Sequence, residues 1–181
     1  MKIVFSLSMF FLTLPLYGQS KKELCVQVVE TAKSFKDIEP VYHIIKKERN
    51  IYRYMPSILP IKGGRLSSSF GYRRHPLKKK RIFHTGIDLA APYATTIHSS
   101  AEGRVIFAGN TKGYGKKVVV AHKYGFVTCY AHLTYIYTKT GRKVKKGECI
   151  GFVGSTGMST GNHLHYEVIK NGNFINPSNF Y

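Results

Sequence analysis

Two groups of residues in the sequence have the spacing of metal ligands. His84 and Asp88 are four residues apart, and Gly86 between them allows the chain to turn sharply. His163 and His165 are separated by one residue, so a strand would place both imidazoles on one face. Two imidazole nitrogens and a carboxylate, with a fourth position open to water, form a ligand set known for catalytic zinc. The spacing therefore predicts a metal site built from His84, Asp88 and one of the paired histidines.

A divalent ion at such a site would favour hydrolysis at neutral pH. It lowers the pKa of its bound water to about 7 and polarises a carbonyl group. The reaction also needs a proton acceptor and a donor to the developing oxyanion. His132 and the member of the His163/His165 pair that does not bind the metal are the candidates for these two roles. Each pattern is weak when taken alone, and it is their joint occurrence that favours a hydrolytic site.

The elements around these residues are predicted to be mostly strands. Fourteen of the 17 glycines follow Leu66, often next to a short run rich in Val, Ile, Phe, Tyr and Thr. This pattern predicts a mainly β domain with antiparallel sheets and glycine-containing turns. The five predicted strands cover residues 104–108, 117–121, 126–131, 149–153 and 163–169.

The residues before this domain have a helical instead of a strand-like pattern. Residues 21–38 place Leu24, Val28 and Phe35 at a loose helical period, which Pro40 should end or kink. Two prolines and two glycines between residues 56 and 64 then indicate a linker. We predict a short helical lead segment and linker over residues 19–57 and one domain over residues 58–181.

The first 18 residues have the pattern of a secretory signal peptide. Lys2 precedes a mostly apolar run that ends at Tyr17, and Gly18 offers a cleavage position. A membrane anchor is the alternative, but the run is shorter than the roughly 20 residues that span a bilayer. The expectation is therefore export to the periplasm, the cell envelope or the extracellular space, with no transmembrane anchor after cleavage.

The charge of the chain points to an anionic partner. Its formal net charge is +19, from 28 Lys and Arg against 9 Asp and Glu, and five of the nine acids lie in residues 21–50. Nucleic acid, anionic lipid and an acidic envelope polymer would all suit this charge. Export argues against nucleic acid and favours the envelope polymer.

The three cysteines, Cys25, Cys129 and Cys149, are an odd number, so at least one is unpaired within the chain. We interpret them as small buried apolar residues. A disulfide between Cys129 and Cys149 is the alternative, and none of the three has the spacing of a zinc ligand.

The motifs together resemble the lysostaphin-type, or LytM-like, zinc metallopeptidases that cut peptidoglycan cross-links. The resemblance covers residues 61–181, and it rests on motifs at residues 69–73 (SFGYR), 84–88 (HTGID), 130–133 (YAHL) and 154–167 (GSTGMSTGNHLHYE). It implies the duplicated-hybrid-motif fold and a zinc endopeptidase that acts on the peptide stems and cross-bridges of peptidoglycan.

The resemblance also implies a role for each site residue. His84, Asp88 and His165 would bind one zinc ion, and His132 and His163 would be the catalytic pair. Glu167 would share a strand face with His165, where it could orient that imidazole or stay a solvated carboxylate.

Two other functions compete with this hypothesis. A catalytically silent LytM-like module would bind the wall or activate another hydrolase, but such modules typically lack one or more of the five positions. A binder of anionic lipid or nucleic acid would explain the charge and leave the ligand spacing to coincidence.

Overall fold

The computed structural model describes residues 20–74 and 80–181. The predicted signal peptide, residues 1–18, lies outside these residues. Among the helices of the described ranges, none has both the length and the apolar character that crossing a membrane requires.

The lead segment contains four short helices and one 3-10 turn. The first helix, α1, begins after a capping box in which Ser20 accepts the backbone N–H of Glu23 and the Glu23 carboxylate accepts that of Ser20. Its buried face is formed by Cys25 and Val29, whereas Leu24 is 46% exposed, so the predicted apolar face was displaced by one residue. The elements are α1 (Lys21–Thr31), α2 (Phe35–Ile38), the 3-10 turn Glu39–Val41, α3 (Tyr42–Lys47) and α4 (Arg49–Tyr52).

The rest of the chain is built from strands, which confirms the mainly β prediction. All five predicted strands are present, and four of them are longer than the apolar runs that indicated them. The strands missed by the sequence pattern are the short ones, such as the exposed β1 and the buried β4, because a run of two to four residues is too short to show a clear alternation. The strands are β1 (Arg65–Ser68), β2 (Gly71–Arg74), β3 (Arg81–His84), β4 (Ile87–Ala90), β5 (Thr96–His98), β6 (Gly103–Thr111), β7 (Gly115–His122), β8 (Phe126–Ile136), β9 (Lys143–Val144), β10 (Cys149–Val153), β11 (His163–Lys170) and β12 (Asn173–Ile175); a 3-10 turn, Pro177–Phe180, follows.

The strands form one large antiparallel sheet and one hairpin. The main order of the sheet is β1-β4-β11-β8-β7-β6-β9, with β10 joining β8 to β5 and β12 joining β11. Strands β2 and β3 pair only with each other in the described structure. The central strand β8 pairs with β11 through its first half and with β10 through its second half. This change of partner in β8 determines where the site lies.

The lead segment packs against the sheet in one shared hydrophobic core. That core includes Val29, Ile45 and Met55 together with side chains of the sheet such as Val168. The sequence analysis ended the lead segment and linker at residue 57. Met55, two residues before that boundary, is fully buried in the shared core. The division of the chain at this point stays a prediction, but the two parts pack together as one body.

The end of β11 connects the sheet to α1. The Lys170 ammonium group donates to the carbonyl oxygen of Glu30, and the Asn171 side-chain amide donates to the carbonyl oxygens of Glu30 and Ala32. His163, at the other end of β11, is seven residues from Lys170, which corresponds to about 23 Å along a strand. The lead segment therefore contacts the end of β11 that lies away from the two predicted site histidines.

The cysteines do not form a disulfide in the structure. Cys25, Cys129 and Cys149 are all free thiols, the first two buried and the third half-buried. Burial raises the pKa of Cys129, so its thiol stays protonated at neutral pH. This agrees with the interpretation of the cysteines as small core residues.

The contact between Asn171 and α1 gives a prediction for stability. Asn171→Ala should lower the free energy of unfolding by about 2 kcal/mol, because it removes two hydrogen bonds to the carbonyl oxygens of Glu30 and Ala32. It also places alanine at a φ of 48°, a conformation that asparagine tolerates better. Asn171→Gly loses the same bonds without the backbone strain, so it should be intermediate in denaturant unfolding. If Asn171→Ala is as stable as the wild type, the two hydrogen bonds contribute nothing.

Candidate metal centre and active site

His84 is placed by the hairpin of β2 and β3. It is the last residue of β3, where it pairs with Gly71, and its side chain is buried. The Nδ1 atom lies 2.8 Å from the carbonyl oxygen of Ser69. A carbonyl can only accept, so Nδ1 carries the hydrogen and the Nε2 atom has a free lone pair.

Asp88 and His165 are brought together by the register of two strands. They are directly paired between β4 and β11, and His165 is also paired with Ala131 of β8. Both side chains are buried at the same position as His84. Three strands that are distant in sequence therefore place one imidazole and one carboxylate beside the end of β3.

The three side chains converge through one atom each. Asp88 Oδ1 lies 2.9 Å from His165 Nδ1 and 3.1 Å from His84 Nε2, and the two nitrogens are 3.0 Å apart. Tetrahedral zinc with bonds of about 2.0–2.1 Å would separate its ligands by about 3.3 Å. The donor atoms are thus close to the spacing that a small divalent cation needs, and the three residues form a group suited to a metal ion.

The far nitrogen of His165 faces a buried carboxylate. Its Nε2 atom lies 3.0 Å from Glu167 Oε1, which also accepts the hydroxyl groups of Thr85 and Tyr114. Nε2 therefore donates to Glu167, and Nδ1 is the nitrogen of this ring that faces Asp88 and His84. Of the two alternatives for Glu167, the structure favours the orienting role, because the side chain is buried.

The electrostatics of this group favour a positive charge among the three donors. Burial alone would raise the pKa of Asp88 and lower that of His165. Hydrogen bonds and charges outweigh burial in both cases. His165 and His84 hold the pKa of Asp88 well below its ordinary value, and Asp88 and Glu167 raise the pKa of His165 to about 9. With no metal bound, a proton supplies the positive charge that a cation would otherwise provide.

His132 lies where β8 changes partners. Its backbone adopts a φ of 64°, which is uncommon for a residue with a side chain, and the pairing of β8 is irregular on both sides of it. Its Nδ1 atom donates to the carbonyl oxygen of Thr156 at 2.7 Å, so Nε2 is the free nitrogen. Burial lowers the pKa of His132 to about 4 despite the raising effect of that carbonyl, and the ring is neutral at pH 7.

His163 is the second histidine beside the donor group. Its ring lies 4.7 Å from that of His132, and its Nε2 atom is 3.8 Å from Asp88 Oδ1. The Nδ1 atom donates to the carbonyl oxygen of Gly161 at 2.8 Å, which leaves Nε2 free as in His132. The structure thus brings together all five residues that the resemblance identified.

These residues line an open cleft of about 310 Å³. The described lining comes from the β2–β3 hairpin, from the turn between β6 and β7, and from the residues before β11. Lys112 and Arg73 contribute positive charge to it, and no residue of the described lead segment is part of the lining. A pair of imidazoles beside a cation-binding group in an open cleft is suited to water-dependent hydrolysis.

Three contacts of the site were missed by the sequence analysis. Thr85 and Tyr114 hold Glu167, and the backbone of Thr156 orients His132. Thr85 lies inside the 84–88 motif and could have been noted there. Thr156 lies inside the 154–167 motif, but the motif does not show which side chain its backbone contacts. Tyr114 gave no local signal, because its role depends on the pairing of distant strands.

Comparison with known proteins identifies the family. The model of peptidase family M23 matches residues 82–177, which is more than half of the chain and includes all five site residues. The chain belongs to peptidase family M23. This confirms the resemblance found in the sequence, and the mainly β, antiparallel fold agrees with it.

Two relatives of the chain carry names that describe peptidoglycan or peptide-cleaving enzymes. The chain is 49% identical over 121 residues to the DD-carboxypeptidase/endopeptidase Mpg of Neisseria meningitidis, covering 67% of this chain and 28% of that protein. It is 42% identical over 113 residues to the peptidoglycan DD-endopeptidase ShyA of Vibrio cholerae, covering 62% and 26%. The chain thus spans only about a quarter of the length of these relatives.

A solved structure supports the fold and the metal chemistry of the family. A zinc-containing peptidase from Vibrio cholerae superimposes with a TM-score of 0.61 at 33% identity, covering 65% of this chain and 37% of that one. The group formed by His84, Asp88 and His165 fits a metal site, in agreement with the zinc in that peptidase.

Proposed function

We propose that this M23 chain is a zinc-dependent endopeptidase that hydrolyses peptide cross-links of bacterial peptidoglycan. The observation that carries the proposal is the convergence of three metal-donor atoms beside two further histidines in an open cleft. The names of the relatives supply the substrate class.

One zinc ion would be held by His84 Nε2, Asp88 Oδ1 and His165 Nδ1. When bound, zinc supplies a Lewis acid that polarises a peptide carbonyl and acidifies water. Glu167 keeps the hydrogen of His165 on Nε2, so that Nδ1 remains a ligand. Loss of that contact would allow the imidazole to turn or to change its tautomer.

His132 and His163 would carry the protons of the reaction. Each has its Nδ1 hydrogen fixed on a backbone carbonyl, so each can take a proton on Nε2 from the attacking water. A ring protonated in this way can donate to the developing oxyanion or to the leaving amine. The pair therefore provides both functions that a metal ion alone does not supply.

The surroundings of the cleft suit an anionic polymer outside the cytoplasm. Lys112 is exposed at its edge, and the chain has a net charge of +19. These cations would attract the carboxylates of peptide stems. We infer export to the periplasm or the cell surface from the signal-like residues 1–18 and from the substrate. The presence of all five site residues argues against a catalytically silent module.

Metal removal tests the proposal directly. The chain without residues 1–18, incubated with purified peptidoglycan, should release new amino termini, and dialysis against a zinc chelator should abolish this release. One equivalent of zinc should restore it, because the three donors form a single site. Mass spectrometry of the fragments would identify the bond that is cut. A zinc-loaded chain that binds peptidoglycan and releases nothing would contradict the enzyme and support the silent module.

A further inference from the structure

The two carboxylate oxygens of Asp88 have different partners. Oδ1 is the atom that faces His84 and His165, at 3.1 and 2.9 Å. Oδ2 accepts a hydrogen bond from Arg73 Nη2 at 3.1 Å, within an ion pair whose side chains are 25% and 12% exposed. One oxygen is thus directed to the metal-binding group, and the other is held by a guanidinium group.

Arg73 is supplied by the same hairpin that supplies His84. It lies on β2, two residues after Gly71, which is paired with His84. The hairpin therefore places His84 beside Oδ1 of Asp88 and Arg73 beside Oδ2. Its packing places the arginine stem in the wall of the cleft.

Burial of the Arg73 guanidinium group is unfavourable in free energy, and the ion pair with Asp88 offsets that penalty. Arg73 Nε is buried and has no hydrogen-bond partner in the described structure. An unpaired buried donor is unfavourable, so a side chain that served only to pack would be better apolar. The contact with Asp88 Oδ2 is the interaction of this group that the structure shows.

We propose that Arg73 is a positioning residue that restricts Asp88 to binding the metal through Oδ1 alone. A free carboxylate can bind a metal ion through one or both of its oxygens. With Oδ2 held by Arg73, the second oxygen cannot turn toward the ion. The coordination position that it would occupy stays open for water or the substrate carbonyl, as a catalytic site requires.

This inference rests on the proposed zinc site, and cobalt gives it a readout apart from hydrolysis. Cobalt(II) replaces zinc in such sites, and its visible absorption weakens when the number of ligands increases. Arg73→Met keeps the apolar stem and removes the hold on Oδ2. The cobalt-loaded variant should have a weaker visible band than the wild type, while hydrolysis falls by about 10- to 100-fold. The affinity for the metal should be unchanged or higher, because Asp88 can then offer both oxygens.

Arg81→Met is the matched control. Arg81 lies on β3 of the same hairpin, and its guanidinium carbon is 5.0 Å from the centre of the Tyr72 ring. Arg81→Met therefore removes the same charge from the hairpin without removing a contact to Asp88. Its cobalt band and its activity should match the wild type. Arg73→Lys should recover part of the band intensity, because an ammonium group can still hold one oxygen. Arg73→Gln replaces Arg73→Met if the latter does not fold.

The outcomes separate the two proposals. An unchanged cobalt band in folded Arg73→Met, or an equal change in Arg81→Met, would overturn the role of Arg73 and leave the endopeptidase proposal intact. A wild-type chain that binds neither cobalt nor zinc would overturn the metal site itself. A weaker band with retained metal affinity supports the positioning role, since a merely structural loss would lower the affinity instead.

Discussion

His165→Ala is expected to abolish both zinc binding and hydrolysis of peptidoglycan. The Nδ1 atom of His165 lies within 3.0 Å of the donor atoms of both Asp88 and His84, so its loss removes one of three proposed ligands from the centre of the group. It also leaves the buried Glu167 carboxylate without its imidazole partner. The chemistry that zinc supplies amounts to several kcal/mol, so the rate should fall on the order of 10³-fold or more.

Zinc content and cleavage should be measured on the same preparation of His165→Ala. After loading and desalting, the wild type should retain one zinc ion per chain and the variant nearly none. His43→Ala is the matched control, because His43 is exposed in the lead segment and is not part of the cleft lining. Wild-type zinc content in His165→Ala would remove this residue from the ligand set and leave His163 as the candidate.

Spacing along the chain explains why the sequence could predict part of this site. His84 and Asp88 are close in sequence, and the spacing of His163 and His165 is meaningful in any strand, so local patterns were enough to select them. The choice between the paired histidines came from the family resemblance. The register of β11 sets His165 opposite Asp88, and this placement supports the same choice.

The contacts that orient these residues were beyond local patterns. Tyr114 reaches Glu167 across 53 residues of sequence, and Arg73 reaches Asp88 only because the β2–β3 hairpin folds beside β4. The lead segment shows the same limit at the level of the fold. Its helical character was predicted, but the face of α1 that is buried depends on the sheet against which it packs.

His132→Ala is expected to separate catalysis from metal binding. None of the distances among the three donor atoms involves His132, so the variant should keep one zinc ion. Its loss removes a neutral imidazole from the cleft, and a positioned acid or base contributes about 10²- to 10⁴-fold to the rate. The turnover number should fall by that factor, and the cobalt band should change little.

The backbone of His132 requires a second variant. Alanine at a φ of 64° is strained, so a loss of activity could reflect a shift of β8 instead of the missing ring. His132→Gly adopts this conformation freely and should lose activity to the same extent. Recovery of activity in the glycine variant would show that the backbone, and not the imidazole, limits the alanine variant.

The pH profile gives an independent check on the role of His132. Burial, the largest effect, lowers its pKa to about 4, so the ring is neutral and able to accept a proton from about pH 5 upward. A cation bound nearby would lower this pKa further. As the pH falls, the rate of wild-type hydrolysis should therefore show no decrease near pH 6.5 that comes from protonation of His132.

If His132 and His163 act as one unit, as their ring separation of 4.7 Å indicates, the double alanine variant should hydrolyse peptidoglycan little more slowly than either single variant.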